Sequence, residues 1–232
     1  MLALVAGAAA CASDRTQGAR AETATLPRGD SLAEVTRHGT LRDLAALADA
    51  LDTLRAAAAA LDVTPARSTG VREAFIAARQ RWKHVEWLVE AYTPSSARQL
   101  NGPPLPEVEI TEGHQPVRPP EGFQVVEALL WPEVQVDARD ALVGEVATMQ
   151  QTLTRVRQLL SANRLLDGIV WDAGRTELAR VATLGLGGFD SPLAQRQLIE
   201  ARDALRGVQA GIAPYRGRAR AQASVAWDAL ER

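Results

Sequence analysis

The chain has one cysteine in 232 residues, Cys11, and therefore no intramolecular disulfide, no Cys-x-x-Cys pair and no Cys-x-x-Cys-His site for covalent haem attachment. Its three histidines, His38, His84 and His114, are scattered and make no His-Glu-x-x-His motif. His84 and Glu86 stand two apart and point away from each other on a helix. No Gly-x-Ser-x-Gly elbow is present, and with the cysteine at the start of the chain neither a serine nor a cysteine hydrolase has its nucleophile. Acids and bases are interspersed and nearly balanced, at 28 and 26 residues, so no basic surface for nucleic acid is indicated. No alternating strand pattern appears anywhere, and the hydrophobic run at the start is too short to span a bilayer.

That run, Met1 to Cys11, is apolar or small throughout and ends in small residues before the cysteine. It reads as a bacterial secretory signal with a lipobox, residues 1–11, in which Cys11 would be lipidated. Ala8 stands where leucine is commoner, and no basic residue precedes the run; an ordinary cleaved signal is the other reading. Ala12 after the cysteine favours the periplasmic side of the outer membrane, with a soluble periplasmic protein as the alternative. Residues 12–39 read as a flexible tether.

The remainder, residues 40–232, is patterned as helices. Thr40 with Asp43 is a plausible N-terminal cap, and Leu44, Leu47, Leu51, Leu54, Ala58 and Leu61 step by three and four. Pro65 opens a second helix with Phe75, Ala78, Trp82, Val85, Val89 and Tyr92 as its stripe. Residues 93–121 form a long, proline-rich connection, of the kind that is often functional. Leu142, Val146, Met149, Leu153, Val156 and Leu160 mark a third long helix. Leu166, Ile169, Val170, Ala173, Leu178 and Val181 mark a fourth. Gly185 to Asp190 reads as a turn, Ser191-Pro192 as the start of a helix carrying Leu198, Ala201, Leu205, Val208 and Ile212. The fold class is all-α, a bundle of amphipathic helices that bury their stripes against one another. The five tryptophans default to core packing, with Trp87, off the main stripe, a candidate contact surface.

The stretch Gly122 to Trp131, apolar around most of a helical circumference, includes only two polar residues between its ends, Gln124 and Glu127, neighbours three positions apart. A carboxylate buried there needs a partner or takes up a proton. On the second helix Arg79, Lys83, Glu86 and Glu90, separated by four, three and four, border the core stripe. They form either a solvated ladder or, with Gln124 and Glu127, a buried polar cluster that sets helix register.

Three stretches, Arg79 to Leu88, Leu100 to Pro106 and Pro120 to Glu127, together with Leu184 to Pro192, resemble the imelysin-like segment that precedes the haem domains of bacterial di-haem cytochrome c peroxidases. The resemblance runs from about Phe75 to Tyr215. It implies a free-standing accessory module that docks on a di-haem peroxidase or another periplasmic protein. The missing haem motif and nucleophile make it non-catalytic with no covalent cofactor, and the lipid on Cys11 would hold it at the membrane. In imelysins the central motif is Gly-x-His-x-x-Glu, associated with iron or other metal uptake. Here Gly122 and Glu127 match, whereas Gln124 replaces the histidine and is a poorer transition-metal ligand. The alternative implied function is metal binding, with Glu127, Glu86 and His84 as candidate ligands.

Overall fold

The computed structural model describes residues 31–102, 107–108, 117–118 and 120–223. Helix α1 spans Leu32–Ala59, α2 Pro65–Tyr92, α3 Pro94–Asn101, α4 Phe123–Leu130, α5 Arg139–Ala162, α6 Asp167–Arg180, α7 Gln197–Ile212 and α8 Arg216–Gln222. The fold is an all-α bundle. Its only sheet among the described residues is a two-residue antiparallel ladder of β1, Glu107–Val108, and β2, Val117–Arg118. No described helix is long and apolar enough to cross a membrane. Residues 1–30, where the sequence predicts a lipidated signal at Cys11, and also His114 and Trp227, lie outside the described residues.

The first helix begins earlier than its apolar stripe indicates. Ser31 caps it, accepting a hydrogen bond from the Glu34 amide, while Glu34 also completes an ion pair with Arg37 at 2.8 Å. Thr40 is buried inside the helix and its hydroxyl donates to the Thr36 carbonyl. Residues 32–39 thus belong to the bundle and not to a tether, because Ala33 and Thr36 have the buried neighbours that a tether would lack.

Helix α2 is the element the others share. One face packs with α1, α3 and α4, and α5, set against those three, completes a core containing Leu44, Leu51, Phe75, Trp82, Phe123, Met149 and Val156; the opposite face meets α6 and α7 through Trp87, Leu88, Val170 and Val208. Trp87 is therefore interior, 2% exposed, not a surface marker. The stretch Gly122 to Trp131 supplies only one short wall.

Helix α3 occupies the first part of what the sequence presents as a long connection. Pro94 starts it, and Ala97 and Leu100 bury its inner face against α2 and α5. Its end meets the start of α4 through a bridge between Asn101 and Gly122. Gly122 has φ +84°, and a Cβ there would lie 2.3 Å from the Leu100 carbonyl oxygen, so both its backbone angle and this close approach require glycine. The same positive-φ glycine precedes the first residue of α4, Phe123.

Two predicted stripes are rotated in the structure. On α6 the buried positions are Val170, Ala173, Gly174 and Glu177, while Leu166 and Leu178 are exposed. On α7 they are Glu200, Ala201, Asp203, Ala204, Gly207 and Val208, while Leu198 and Leu205 face outward. Helix α6 continues into a π-type turn, Val181–Gly185, followed by irregular turns to Arg196. Ser191-Pro192 does not begin a helix: the Ser191 hydroxyl accepts from the Arg196 amide, and α7 starts at Gln197.

Candidate functional site: a buried ion-pair cluster

Three of the four rungs of the α2 ladder lie in the interior, and Glu90 stands half-buried at its edge. Arg79, Lys83 and Glu86 are all buried, Glu86 completely. Ionised side chains so far from water are costly unless paired and hydrogen-bonded, and the neighbouring elements supply the partners. From α7, Glu200 takes a two-pronged contact from Arg79, Nε to Oε1 at 3.0 Å and Nη2 to Oε2 at 2.6 Å. The same guanidinium donates to the Asp190 carbonyl at 2.7 Å and to the Asn101 side-chain oxygen at the end of α3. Its face also lies 5.4 Å from the Phe123 ring centre.

Lys83, the one lysine in the chain, places its ammonium 2.7 Å from both Glu86 and Asp190. Burial alone would lower its pKa, yet Glu86 and Asp190 hold it above the ordinary lysine range. Burial would likewise raise Asp190, but Lys83 and Arg180 keep it below the usual aspartate value. Arg180, at the end of α6, reaches Glu86 at 3.0 Å, Glu90 at 3.2 Å, Asp190 at 3.3 Å and Glu177 at 3.6 Å. One guanidinium thus joins α2, α6 and the turn after the π segment.

A reactive surface lysine and this one should behave differently. Peptide mapping after acylation with an amine-reactive ester is expected to show Lys83 modified at least about tenfold more slowly in the folded chain than in denaturant, because the ammonium is reached only when the cluster opens. Equal rates in the two states would mean that the amine is accessible.

Of the predicted polar cluster, Arg79, Lys83 and Glu86 come together, and Gln124 and Glu127 do not join their ion pairs. Glu127 instead accepts the Ala194 amide at 2.7 Å, and burial pushes its carboxyl above the ordinary glutamate value against that hydrogen bond. Both amide atoms of Gln124 are buried without a hydrogen-bond partner. Arg79 finds Glu200 in place of Glu127 because α7, not α4, carries the acid that its side chain meets. The structure does not assemble the three candidate metal ligands either. Glu86 faces Lys83 and Arg180, Glu127 faces the 193–194 backbone, and the backbone around His84 abuts Gly207 of α7. Among the described residues no group of three or more His, Cys, Asp or Glu side chains is arranged to hold a metal ion.

Sequence reasoning missed Asp190, Glu200, Glu177, Arg180 and Asn101. One signal was available: a chain so rich in arginine that keeps a single lysine beside the stripe of its second helix marks that position. Asp190, closing a glycine-rich turn, carries no such mark.

The fold and the site define a class: an all-helical bundle whose interior is cross-linked by ion pairs among α2, α6, α7 and the turn between the last two. Neither the models of known protein families nor the curated protein sequences yield a match to this chain.

Proposed function

We propose that this protein is a non-catalytic binding module that faces the periplasm and docks on a separate redox protein, a di-haem cytochrome c peroxidase or a relative of one, with lipid on Cys11 holding it at the outer membrane. The resemblance of the 79–88, 100–106, 120–127 and 184–192 stretches to the imelysin-like segment of such peroxidases supports the choice of partner. The observation that carries the docking role is the turn Leu184 to Leu193. Leu186 and Phe189 are 51% and 52% exposed, and Leu184 and Leu193 also face outward. The Phe189 amide bonds to the Leu184 carbonyl, which keeps these apolar groups on one compact turn. Directly beneath, Asp190 is held by Lys83, Arg79 and Arg180. Apolar side chains in water on a turn anchored by buried ion pairs suit a preformed contact surface. The buried cluster supports a structural and not a catalytic role for its acids and bases, since they are engaged with one another.

The test is capture from membranes of a producing bacterium, using the full chain and a Leu186→Ser/Phe189→Ser variant, with recovered c-type cytochrome read by haem absorbance. The intact chain is expected to recover the cytochrome, and the variant to lose at least about tenfold in recovery, as expected for removing two central apolar contacts. Recovery of no cytochrome by the intact chain, or equal recovery by both, overturns the reading.

A further inference from the structure

The buried cluster holds more acid than its cations neutralise. Arg79, Lys83 and Arg180 face the carboxylates of Glu86, Glu90, Glu177, Asp190 and Glu200, three positive groups against five negative ones. With every group ionised, two uncompensated charges would remain in or beside the interior, which is a heavy cost at low dielectric. The weakest support falls on Glu177. It is 2% exposed, its Oε2 has no hydrogen-bond partner, and its nearest cation is the shared Arg180 at 3.6 Å. Facing it are Lys83, Glu86 and Glu90 from α2, Arg180 from its own helix and Asp190 from the turn; Glu200 of α7 lines the same small cavity.

We propose that Glu177 holds a proton in the closed fold, and that losing it unlatches the end of α6 and the 184–193 turn from α2, so that presentation of this turn depends on pH. The route is through Arg180. A neutral Glu177 leaves that guanidinium to Glu86, Glu90 and Asp190. An ionised Glu177 competes for it and at the same time repels Glu86 and Asp190. The proton passes to solvent, and the helix that must yield ends in the π-type turn, where the Leu186 amide reaches back five residues to the Val181 carbonyl. Such turns are local departures from regular helix and often occur at functional sites.

The direction of the pH effect follows from burial, the largest cause, with repulsion from Glu86 added: together they push the Glu177 carboxyl from 4.5 up to about 8. Burial raises Glu90 as well. The folded state therefore binds the proton more tightly than the unfolded chain. The stability this provides is fully present below pH 4.5 and is lost as pH rises through about 8.

This inference takes from the proposed function only the idea that the turn docks. Its experiment uses the free chain, so failure to capture a cytochrome leaves it standing, and a silent titration leaves docking standing. The Glu177 carboxyl is followed by carbon-13 NMR, assigned by its disappearance in Glu177→Gln, and amide exchange in residues 184–196 is followed with intrinsic rates removed. Between about pH 6.5 and about pH 9 the protection of these amides is expected to fall about tenfold in the native sequence and to stay level in Glu177→Gln. An equal fall in both proteins overturns the proposal. So does a Glu177 carboxyl that titrates in the ordinary glutamate range, a result obtained on the native sequence alone if the variant does not fold.

Discussion

Replacing Arg79 with methionine is expected to lower the free energy of unfolding by about 3–5 kcal/mol, the usual loss when one partner of a buried ion pair is removed. The loss exceeds that of a surface bridge because the guanidinium serves three groups from different parts of the chain: the Glu200 carboxylate, the Asp190 carbonyl and the Asn101 side chain. Without it Glu200 keeps only Lys83, 4.0 Å away. Arg79→Lys is expected to recover only part of the loss, since an ammonium keeps the charge but cannot span both oxygens of Glu200 while reaching the other two acceptors. Urea unfolding near neutral pH checks both variants. The native stability of a domain is typically about 5–15 kcal/mol, so the methionine variant should be close to half unfolded in modest denaturant. A loss below about 1 kcal/mol, the level of a surface pair, would show that Arg79 is not needed to neutralise Glu200.

Gly207→Ala is expected to destabilise the fold by about 1–3 kcal/mol or more, the range for overpacking a close contact. A Cβ at Gly207 would stand 2.2 Å from the His84 carbonyl oxygen, a backbone atom of α2 that cannot rotate aside. Helix α7 must then back away from α2, and with it Glu200, the carboxylate that holds Arg79. Gly211 makes the same close approach, with its Cβ position 2.1 Å from Cζ2 of the buried Trp87. Gly144→Ala on α5 is the control: nothing lies within 4 Å of its Cβ position, and alanine in a helix interior gains about 1 kcal/mol over glycine. Opposite shifts in thermal midpoint for the two variants check the contact. A Gly207→Ala protein as stable as Gly144→Ala would mean that the two helices are not so closely packed.

The long helices α1, α2 and α5 were legible because their buried faces are apolar and keep helical spacing: Leu44 to Ala58, Phe75 to Val89 and Leu142 to Leu160 all lie where the pattern puts them. The α2 ladder was legible as a candidate cluster for the same reason, since its charges border that stripe. The stripes of α6 and α7 were misread because their inner faces contain Glu177, Glu200 and Asp203 together with glycine and alanine, while leucines at 166, 178, 198 and 205 remain in water. A rule that looks for apolar residues follows the leucines.

The local spacing of apolar and charged residues determined that the chain is helical, where its longest helices run, and that α2 carries charges at the edge of a core. Tertiary structure decided which charges pair. Arg79 and Glu200 are 121 residues apart, and Lys83 and Asp190 are 107 apart. An acid on α7 is a surface residue by its own sequence and becomes interior only because α2 brings a cation to the same place: the cost of burying each ion is offset by a partner that local sequence does not contain.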